Sequence, residues 1–566
     1  MKAQVCIALI SVAAFALLAQ VGASKTLAAP SASVILVNGR VWTGNEAQPW
    51  VSAVAISGDK IVAVGTNARI RKMAARDARV IDLGGRFAMA GFNDAHIHFL
   101  SGALKLIQVD LTGARSLEEI QQRVKKFALD HPNEPWITGS GWEYSYLPNQ
   151  RLPTRADLDA VIPDRPVFLS SYDGHTGWVN SRALELAGVS AQTKFDGYGV
   201  LVKDEKGEPT GVLKEGAQRL VRGKIPEPAR AQKLDALRGE IALANFLGIT
   251  SIQNASGSEG EVELYNELLD RGELKLAVRF AISVGPQTTQ ADIDRIAVLA
   301  KKYAGPRLNV GAIKIVLDGV IETHTAAMLD PYSDDPSTAG RASYTAEQAN
   351  RIVTMADRAG LQVFIHAIGD RAVRMALDAF QTARTLNGRR DSRWRIEHIE
   401  TLQASDIPRF AKLGVIASME PIHADPATVD VWSRAIGPDR TKRGFAWHAL
   451  QTAGARLMFS SDWPAAISLD PIRGLHNAVN RQTIEGEPKG GWLPEYRVSV
   501  ETALRAYTSA GAFGSFEERS KGRIAPEMFA DVIVLSADPF KVDHADLFRC
   551  HVTTTIFRGA VVYEAK

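Results

Sequence analysis

Short apolar runs with strand-like patterning stand at both ends of the sequence. Near the start they occupy Val34–Trp42 and Val54–Gly65, and a Gly-Asp pair that is typical of a turn breaks the second run. Near the end they occupy Ala530–Leu535 and Val552–Tyr563. Runs of this composition predict β-strands. We therefore expect both ends of the chain to contribute to one small β unit that brackets a larger middle.

The middle of the chain alternates apolar runs with helix-sized segments, a pattern that is typical of βα units. Eight such strands predict an α/β fold, a (β/α)8 TIM-like barrel. The segment from about Leu100 to Leu247 is too long for one or two βα units and is rich in turn residues, so we expect an insertion that could cover the site. The predicted strands are Phe87–Phe92, Pro166–Ser171, Gly248–Gln253, Val310–Leu317, Leu361–Ile365, Arg393–Glu397, Val415–Met419 and Arg456–Ser461.

Composition narrows the class of protein without indicating its chemistry. The 566 residues are 46% hydrophobic and 23% charged, which excludes a disordered chain, a collagen-like repeat and a polytopic membrane protein. Lys and Arg number 66 against 63 Asp and Glu, so the formal net charge of +3 favours neither nucleic acid nor anionic lipid as a partner. The two cysteines cannot form a disulfide scaffold.

The first residues resemble a secretory signal. Lys2 precedes the apolar run Val5–Ala19, and Val21-Gly22-Ala23 fits the small-x-small pattern before a cleavage point. The run is short for a membrane span, although an uncleaved N-terminal anchor is the alternative. We expect a signal peptide over residues 1–23, export to a bacterial periplasm, and no membrane association after the signal is removed.

Six residues with metal-binding or proton-transfer chemistry stand at or just beyond the ends of predicted strands. In a barrel these ends share one face, where the active site lies. Alternate residues of a strand point the same way, so the imidazoles of His96 and His98 can reach one point. Any one of these residues alone is as well explained by packing or capping. Together they predict a site for Zn²⁺ or a similar divalent ion. They are His96, His98, Lys314, His366, His398 and Asp462.

Longer motifs around these residues resemble the metal-dependent amidohydrolase superfamily. Within it, they are similar to the amidohydrolase-3 group, which includes N-substituted formamide deformylase-like proteins. The resemblance covers nearly everything after Val34. It rests chiefly on Gly91-Phe-Asn-Asp-Ala-His-Ile-His, Ser171-Tyr-Asp-Gly-His-Thr-Gly-Trp-Val-Asn-Ser, His366-Ala-Ile-Gly-Asp-Arg-Ala, Arg395-Ile-Glu-His and Phe459-Ser-Ser-Asp-Trp-Pro.

The resemblance implies a barrel over residues 91–514, with an insertion at roughly 110–245, and a composite β-sandwich built from 30–90 and 515–566. It implies two ions of zinc or another divalent metal, with His96, His98 and Asp462 on the more buried ion. His366 and His398 would bind the second ion. The family expectation for assembly is a homodimer.

The resemblance also assigns Lys314 a CO₂-derived carbamate that bridges both ions. If Lys314 is unmodified, Glu215 is the fallback carboxylate. A metal-activated hydroxide would then attack a small-molecule substrate and cleave a C–N bond of an amide, a formamide or a cyclic amide. Asp462 would accept the proton of the attacking water and pass it to the leaving amine, and His175 would help to polarise the carbonyl.

Substrate contacts are expected from aromatic and imidazole side chains near the site, namely Trp142, His324 and His423. His324 does not belong to the family motif, and Glu420 stands where an amide is more usual, so the substrate itself stays open.

Three other functions compete with amide hydrolysis. A lactone or ester hydrolase would use the same ligands. A ring deaminase would need a carboxylate three residues after the fifth-strand histidine, where this chain has Gly369 before Asp370. A non-catalytic scaffold would be expected to lose ligands, and none is lost here.

Overall fold

The computed structural model describes the chain from the first strand of the terminal β unit to the penultimate residue. Within that part, no helix combines the length and the apolar character needed to cross a bilayer. The signal peptide predicted over residues 1–23 lies outside the described residues. These are 31–105, 107–143, 151–172, 174, 176–196 and 199–565.

Two sheets at the ends of the chain face each other. The first has the order β5-β4-β1-β6, and the second has the order β24-β23-β22-β7-β2-β3. Leu36 and Ile56 of the first sheet pack with Ala88 and Val534 of the second in one apolar cluster. The strands are β1 (Ala32–Val37), β2 (Arg40–Trp42), β3 (Trp50–Val51), β4 (Ala53–Ser57), β5 (Lys60–Gly65), β6 (Ala74–Asp82), β7 (Phe87–Ala90), β22 (Val532–Leu535), β23 (Val552–Phe557) and β24 (Ala560–Glu564), with helix α1 (Asn67–Arg71) between β5 and β6.

The central sheet has eight strands, and each pairs in parallel with its neighbour. It runs in chain order from one edge to the other, which gives the predicted barrel. Its strands are β8 (Phe92–Ile97), β15 (Ile249–Gly257), β16 (Ala277–Ser283), β17 (Leu308–Val316), β18 (Gln362–Ala367), β19 (Arg395–His398), β20 (Ile416–Met419) and β21 (Arg456–Phe459).

Amphipathic helices cover the barrel because each presents an apolar stripe to the strands. Several begin at a side-chain cap: Thr345 accepts the backbone N–H of Gln348, and Thr289 that of Asp292. The helices after the insertion are α7 (Arg230–Phe246), α8 (Glu259–Asp270), α9 (Gln290–Lys302), α10 (Ala346–Arg358), α11 (Asp370–Asn387), α12 (Ile407–Leu413), α13 (Val429–Thr441), α14 (Trp447–Thr452), α15 (Pro471–Asn480), α16 (Val500–Ala506) and α17 (Ser509–Gly514).

A separate six-stranded sheet forms the insertion between the first and second barrel strands. Its order is β13-β14-β12-β11-β10-β9, and it has an apolar core of its own. Its elements are β9 (Val109–Asp110), β10 (Ile137–Trp142), β11 (Val167–Ser171), β12 (Thr176–Val179), β13 (Gly199–Lys203), β14 (Pro209–Glu215), α3 (Leu117–Asp130), α4 (Arg155–Asp159), α5 (Ser181–Ala187) and α6 (Arg219–Arg222), and α2 (Phe99–Lys105) precedes them.

Two of the eight predicted barrel strands were wrong. Phe87–Ala90 belongs to the terminal sheet, where it pairs with β22, and the first barrel strand starts at Phe92. The predicted strand Pro166–Ser171 corresponds to β11 of the insertion. The strand that replaces it in the barrel is β16, which the pattern missed because Arg279 interrupts its apolar run. That guanidinium is buried in the barrel, where it donates to Gln362 Oε1 at 3.1 Å.

Candidate metal centre

The barrel brings all six predicted residues to the carboxyl ends of its strands. His96 lies in β8 and His98 just past it, and Lys314 lies in β17. His366 and His398 lie at the ends of β18 and β19, and Asp462 follows β21. They therefore share one face of the barrel although the sequence separates them widely.

The carboxylate of Asp462 stands in the centre of this group. Its Oδ1 is 3.4 Å from His96 Nε2 and 3.3 Å from His98 Nε2. Its Oδ2 is 3.5 Å from His423 Nε2 and 3.9 Å from His398 Nδ1. Oδ1 is nevertheless buried and accepts no hydrogen bond of normal geometry from the described residues. It is a carboxylate oxygen surrounded by imidazoles and left available to a cation.

Lys314 and His366 border the same group. The Nζ of Lys314 is 3.2 Å from His96 Nε2 in a fully buried position. The ring of His366 lies 4.4 Å, centroid to centroid, from the ring of His398. Its Nε2 is 3.3 Å from the carbonyl oxygen of Gly319, which leaves Nδ1 as the ring nitrogen that can serve as a ligand.

Buried carboxylates fix the orientation of two imidazoles. Glu397 Oε2 lies 2.7 Å from His96 Nδ1, and Glu420 Oε2 lies 2.9 Å from His398 Nδ1. Arg395 hydrogen-bonds Glu397 in turn, and Ser460 donates to Glu420 Oε1 at 2.9 Å. With Nδ1 donating to a carboxylate, Nε2 keeps its lone pair, which is the arrangement found around metal-binding histidines.

Asp318 holds the loop beyond Lys314 against His366. Its carboxylate accepts backbone N–H groups from Ala327 and Gly369 at 2.9 Å and from Ile368 at 3.1 Å. Its Oδ1 also stands 3.5 Å from His366 Nε2. Burial raises the pKa of Asp318 to about 7, against the lowering effect of these three hydrogen bonds.

Charges within the group shift its pKa values in opposite directions. Burial alone would raise the pKa of Asp462, but the imidazoles of His96, His98 and His398 hold it well below its usual range. Burial and the neighbouring Lys314 lower the pKa of His96 well below its usual range. Burial also lowers the pKa of Lys314, although Glu397 and Asp462 oppose this. Burial lowers the pKa of His398 as well, but Glu420 and Asp462 raise it above its usual value. The result is an ionised carboxylate beside His96 and Lys314, which burial pushes toward their neutral forms.

Left-handed backbone conformations aim two of these side chains. His398 has a φ of 73° and Asp462 a φ of 56°. A positive φ at His398 breaks the in-out alternation of β19, so that both Glu397 and His398 contribute to the interior group. Non-glycine residues in this region are strained, and such strain concentrates at functional sites.

These residues fit a divalent metal ion. His96, His398 and Asp462 each offer one ligand atom, and the three atoms lie within 4.8 Å of one another. Imidazole nitrogen with carboxylate oxygen is a donor set that suits zinc and related ions.

A family model described as Amidohydro_3, amidohydrolase family, matches residues 79–563. The chain belongs to this amidohydrolase family. YtcJ of Bacillus subtilis (strain 168) is 32% identical over 533 residues, which cover 93% of this chain and 98% of YtcJ. The protein LONG AFTER FAR-RED 3 of Arabidopsis thaliana is 30% identical over 556 residues, 95% of this chain and 93% of that protein.

Two further relatives concern chemistry. The N-substituted formamide deformylase of Arthrobacter pascens is 27% identical over 549 residues, 94% of this chain and 98% of that enzyme. A crystal structure of an uncharacterized metal-dependent hydrolase from Pyrococcus furiosus is 30% identical, with a TM-score of 0.73, and covers 90% of this chain and 100% of its own. The family resemblance seen in the sequence is confirmed, and the chain is a metal-dependent hydrolase of the amidohydrolase superfamily.

Of the residues predicted to contact substrate, His423 lies beside two predicted metal ligands of this amidohydrolase, His398 and Asp462. Its ring stacks on His398 at 5.9 Å and 3°, and its Nδ1 is 3.5 Å from Glu400 Oε1. Trp432 Nε1 donates to the other oxygen of Glu400 at 2.8 Å. Burial lowers the pKa of His423, but Glu400, Asp462 and Glu420 together raise it to about 9.

The other predicted residues have the following surroundings in the structure. Trp142 is fully buried in the core of the insertion, where its Nε1 donates to Leu169 O at 3.2 Å and its ring meets Trp178 edge-on. His324 lies in the loop after β17 with its Nε2 2.7 Å from Asp334 Oδ1. Glu215, the fallback carboxylate, ends β14 in the insertion sheet. His175 lies outside the described residues.

Sequence reasoning missed the carboxylates that support the imidazoles. Glu397 stands in the motif Arg395-Ile-Glu-His, directly before a predicted ligand, and Glu420 was noted only as an unusual residue. Asp318 follows the lysine strand in Leu-Asp-Gly, which is more readily interpreted as a turn. The available signal was an acidic residue at a strand end that also carries, or adjoins, a histidine.

Proposed function

We propose that this amidohydrolase cleaves the C–N bond of a small amide, an N-substituted formamide or a cyclic amide. One observation carries the proposal: an ionised, buried carboxylate, Asp462, faces several imidazoles at the mouth of the barrel. The choice of an amide is supported by the formamide deformylase of Arthrobacter pascens, which is similar to nearly the whole chain.

The residues that would hold the metal divide into two sets. His96, His98 and Asp462 would hold one zinc or similar ion, and His366 and His398 a second. When bound, these ions supply Lewis acidity and a water of lowered pKa. Glu397 and Glu420 keep the imidazole tautomers that such binding requires.

Asp462 is placed to move the proton of the reaction. Its low pKa keeps it ionised at neutral pH, so it can accept a proton from the attacking water. The same oxygen can then donate that proton to the nitrogen of the leaving amine, whose bond to the carbonyl carbon breaks. Its buried setting keeps bulk water from competing for the proton.

Lys314 is proposed to carry a carbamate. Burial lowers its pKa and thereby favours the neutral amine. The amine nitrogen can form a bond to the carbon of CO₂ and lose one of its protons. The resulting anion would place a carboxylate-like group beside His96, where it could serve as a ligand to the metal ions.

His423 is proposed to orient the substrate carbonyl. Glu400 holds its Nδ1 side, and its Nε2 is buried without a hydrogen-bond partner among the described residues. That nitrogen faces Asp462 and can donate to a substrate oxygen. His175 stays a prediction for the same task.

A ring deaminase is disfavoured by the contacts of Asp370. Its Oδ1 accepts the backbone N–H of Leu329 at 2.8 Å, and its Oδ2 accepts Gln403 Nε2 at 2.7 Å. Both oxygens are thus committed to holding loops rather than to a substrate or a metal.

Metal analysis of the purified protein, beside a panel of N-formyl, N-acyl and lactone substrates, tests the proposal. About two zinc ions per chain with preferential turnover of N-formyl or N-acyl amides is the expected result. Turnover confined to lactones would replace the C–N assignment with an ester hydrolase. A chain that binds no metal after reconstitution would overturn the site as well.

A further inference from the structure

A buried carboxyl group stands behind the loop that carries Asp462. Glu240 of α7 is fully buried, and neither of its oxygens has a hydrogen-bond partner of normal geometry among the described residues. Burial raises its pKa to about 7, and the indole N–H of Trp463 is the group that opposes this rise. An acid in such a position costs stability, because its polar atoms lose their contact with water and gain no hydrogen bond in exchange.

Trp463 lies between this carboxyl group and two predicted metal ligands, Asp462 and His98. It directly follows Asp462, and its carbonyl oxygen accepts the backbone N–H of His98 at 2.8 Å. Its own backbone N–H donates to Ser461 Oγ at 3.0 Å. A displacement of Trp463 therefore moves both the Asp462 carboxylate and the peptide of His98.

The indole nitrogen of Trp463 and the Glu240 carboxyl both lie against Gly102 of α2, although neither forms a hydrogen bond of normal geometry with the described residues. A Cβ on Gly102 would stand 2.4 Å from Trp463 Nε1 and 2.9 Å from Glu240 Oε1. The missing side chain is what allows the two polar groups to approach each other. No other side chain therefore fits at Gly102 without displacing one of them.

Lys105, one turn further along α2, holds the other side of the same segment. Its Nζ donates to Pro464 O at 3.2 Å and stands 5.1 Å from the ring centre of Trp463. The helices α2 and α7 pack against each other, and residues of both contact or approach the Trp463 segment.

We propose that Glu240 is a positioning residue, which acts through the indole of Trp463 to set the place of the Asp462 carboxylate and the His98 peptide. The inference rests on the proposed role of Asp462 in hydrolysis. A displacement of about 1 Å at a reacting group can lower a rate by about 100-fold, so a contact outside the site can matter greatly.

The test is a double-mutant cycle between Glu240→Leu and Trp463→Phe, with Glu240→Gln as the conservative variant. Leu removes the carboxyl group, Phe removes the indole N–H that lies near it, and Gln keeps a polar group of the same size. We expect each single change to lower kcat by about 10- to 100-fold with KM nearly unchanged, and the double change to cost little more than either. Gln should restore most of kcat and of the affinity for zinc.

Glu261→Gln is the matched control. Glu261 is a partly buried acid on the neighbouring helix α8, and it accepts the hydroxyl of Tyr265 at 3.4 Å instead of lying against Trp463. This variant should keep kcat, KM and zinc affinity. Gly102→Ala should reproduce the loss seen in Glu240→Leu, because its Cβ would collide with the indole.

Zinc affinity, measured by competition with a chelator, separates this inference from the proposed function. Strictly additive effects of the two changes, or equal kcat and zinc affinity in the Leu and Gln variants, would overturn the role of Glu240. If Glu240→Leu does not fold, Trp463→Phe against Glu240→Gln decides by the same readouts. A wild-type chain that binds zinc but hydrolyses no amide would refute the amide chemistry, and zinc affinity would then decide the positioning role.

Discussion

The backbone N–H of Asp462 donates a 2.8 Å hydrogen bond to the carbonyl oxygen of His96. The next such link joins the N–H of His98 to Trp463 O, also at 2.8 Å. Asp94 adds a side-chain link, because its Oδ1 accepts the N–H of Ser461 at 3.1 Å. These bonds join the edge strands β8 and β21 at their carboxyl ends. The barrel is thus closed at the predicted metal ligands. The peptide groups that close it are the same ones that position His96, His98 and Asp462.

Asp462→Asn should abolish turnover while most metal stays bound. The amide keeps an oxygen ligand but cannot accept the proton of the attacking water, and loss of such a group lowers rates by about 100- to 10,000-fold. Steady-state kinetics beside metal analysis is the measurement. An Asn variant that retains activity would remove Asp462 as the proton carrier.

The double change His96→Ala and His98→Ala should remove at least one metal ion per chain. The protein should also lose the stabilisation that metal gives to the folded state, about 2.7 kcal/mol when free metal is at 100 times its Kd. Metal analysis and thermal unfolding with and without added zinc check this. His551→Ala, at an exposed histidine, is the control. Unchanged metal content in the double variant would contradict the ligand assignment.

Glu397→Gln should weaken metal binding although Glu397 is not itself expected to bind the ion. Removing the charge beside His96 Nδ1 lowers the basicity of the ring and frees its orientation, which typically costs about 10- to 100-fold in metal affinity. Chelator competition measures the change, with Glu261→Gln, at a partly buried acid, as the control. Affinity equal to wild type would mean that Glu397 serves the fold alone.

Lys314→Ala should lose activity and recover part of it in the presence of small carboxylic acids. Formate or acetate can enter the space left by the side chain and supply the carboxylate that a carbamate would provide. Kinetics across a range of acid concentrations, with chloride salts for comparison, tests the rescue. Intact metals without any rescue would argue against the carbamate.

Trp142→Phe should lower thermal stability and leave KM unchanged. The indole is part of the core of the insertion, and complete truncation of a buried Trp typically costs about 3–5 kcal/mol, so the shorter ring should cost less. Thermal unfolding and KM for the best amide check this. A raised KM with unchanged stability would return Trp142 to the substrate pocket.

The sequence predicts the residues of the centre better than their surroundings because strand-end histidines follow a local pattern. His366 ends an apolar run and His398 ends the predicted strand Arg395-Ile-Glu-His, and the barrel then dictates that the two strand ends share one face. Trp142 carries no such signal: an aromatic residue in a turn-rich segment has the same pattern whether it faces a substrate or a core. Arg279 misleads in the other direction, because a charged residue in an apolar run argues against a buried strand. Its hydrogen bonds to Gln362 and Asn309 allow the guanidinium to be buried there.

The carboxylates depend on contacts between strands, which a single sequence does not reveal. Glu397 supports His96 of β8, not the adjacent His398, and that pairing exists only in the closed barrel. His398 is supported instead by Glu420 on the next strand. Glu397 and His398 are adjacent in the sequence, yet each pairs with a residue on a different strand. Only the three-dimensional structure shows these two pairings.

The terminal sheet that contains β7 and β22 cannot form until the end of the chain has been synthesised. β7, near the start of the chain, obtains its antiparallel neighbour only when β22 has left the ribosome, and β22 in turn pairs with β23. Contacts between residues so distant in sequence slow folding, because a long loop must close before they form. A premature stop before Val532 would therefore leave an exposed sheet edge prone to aggregation, even though every predicted metal ligand had already been synthesised.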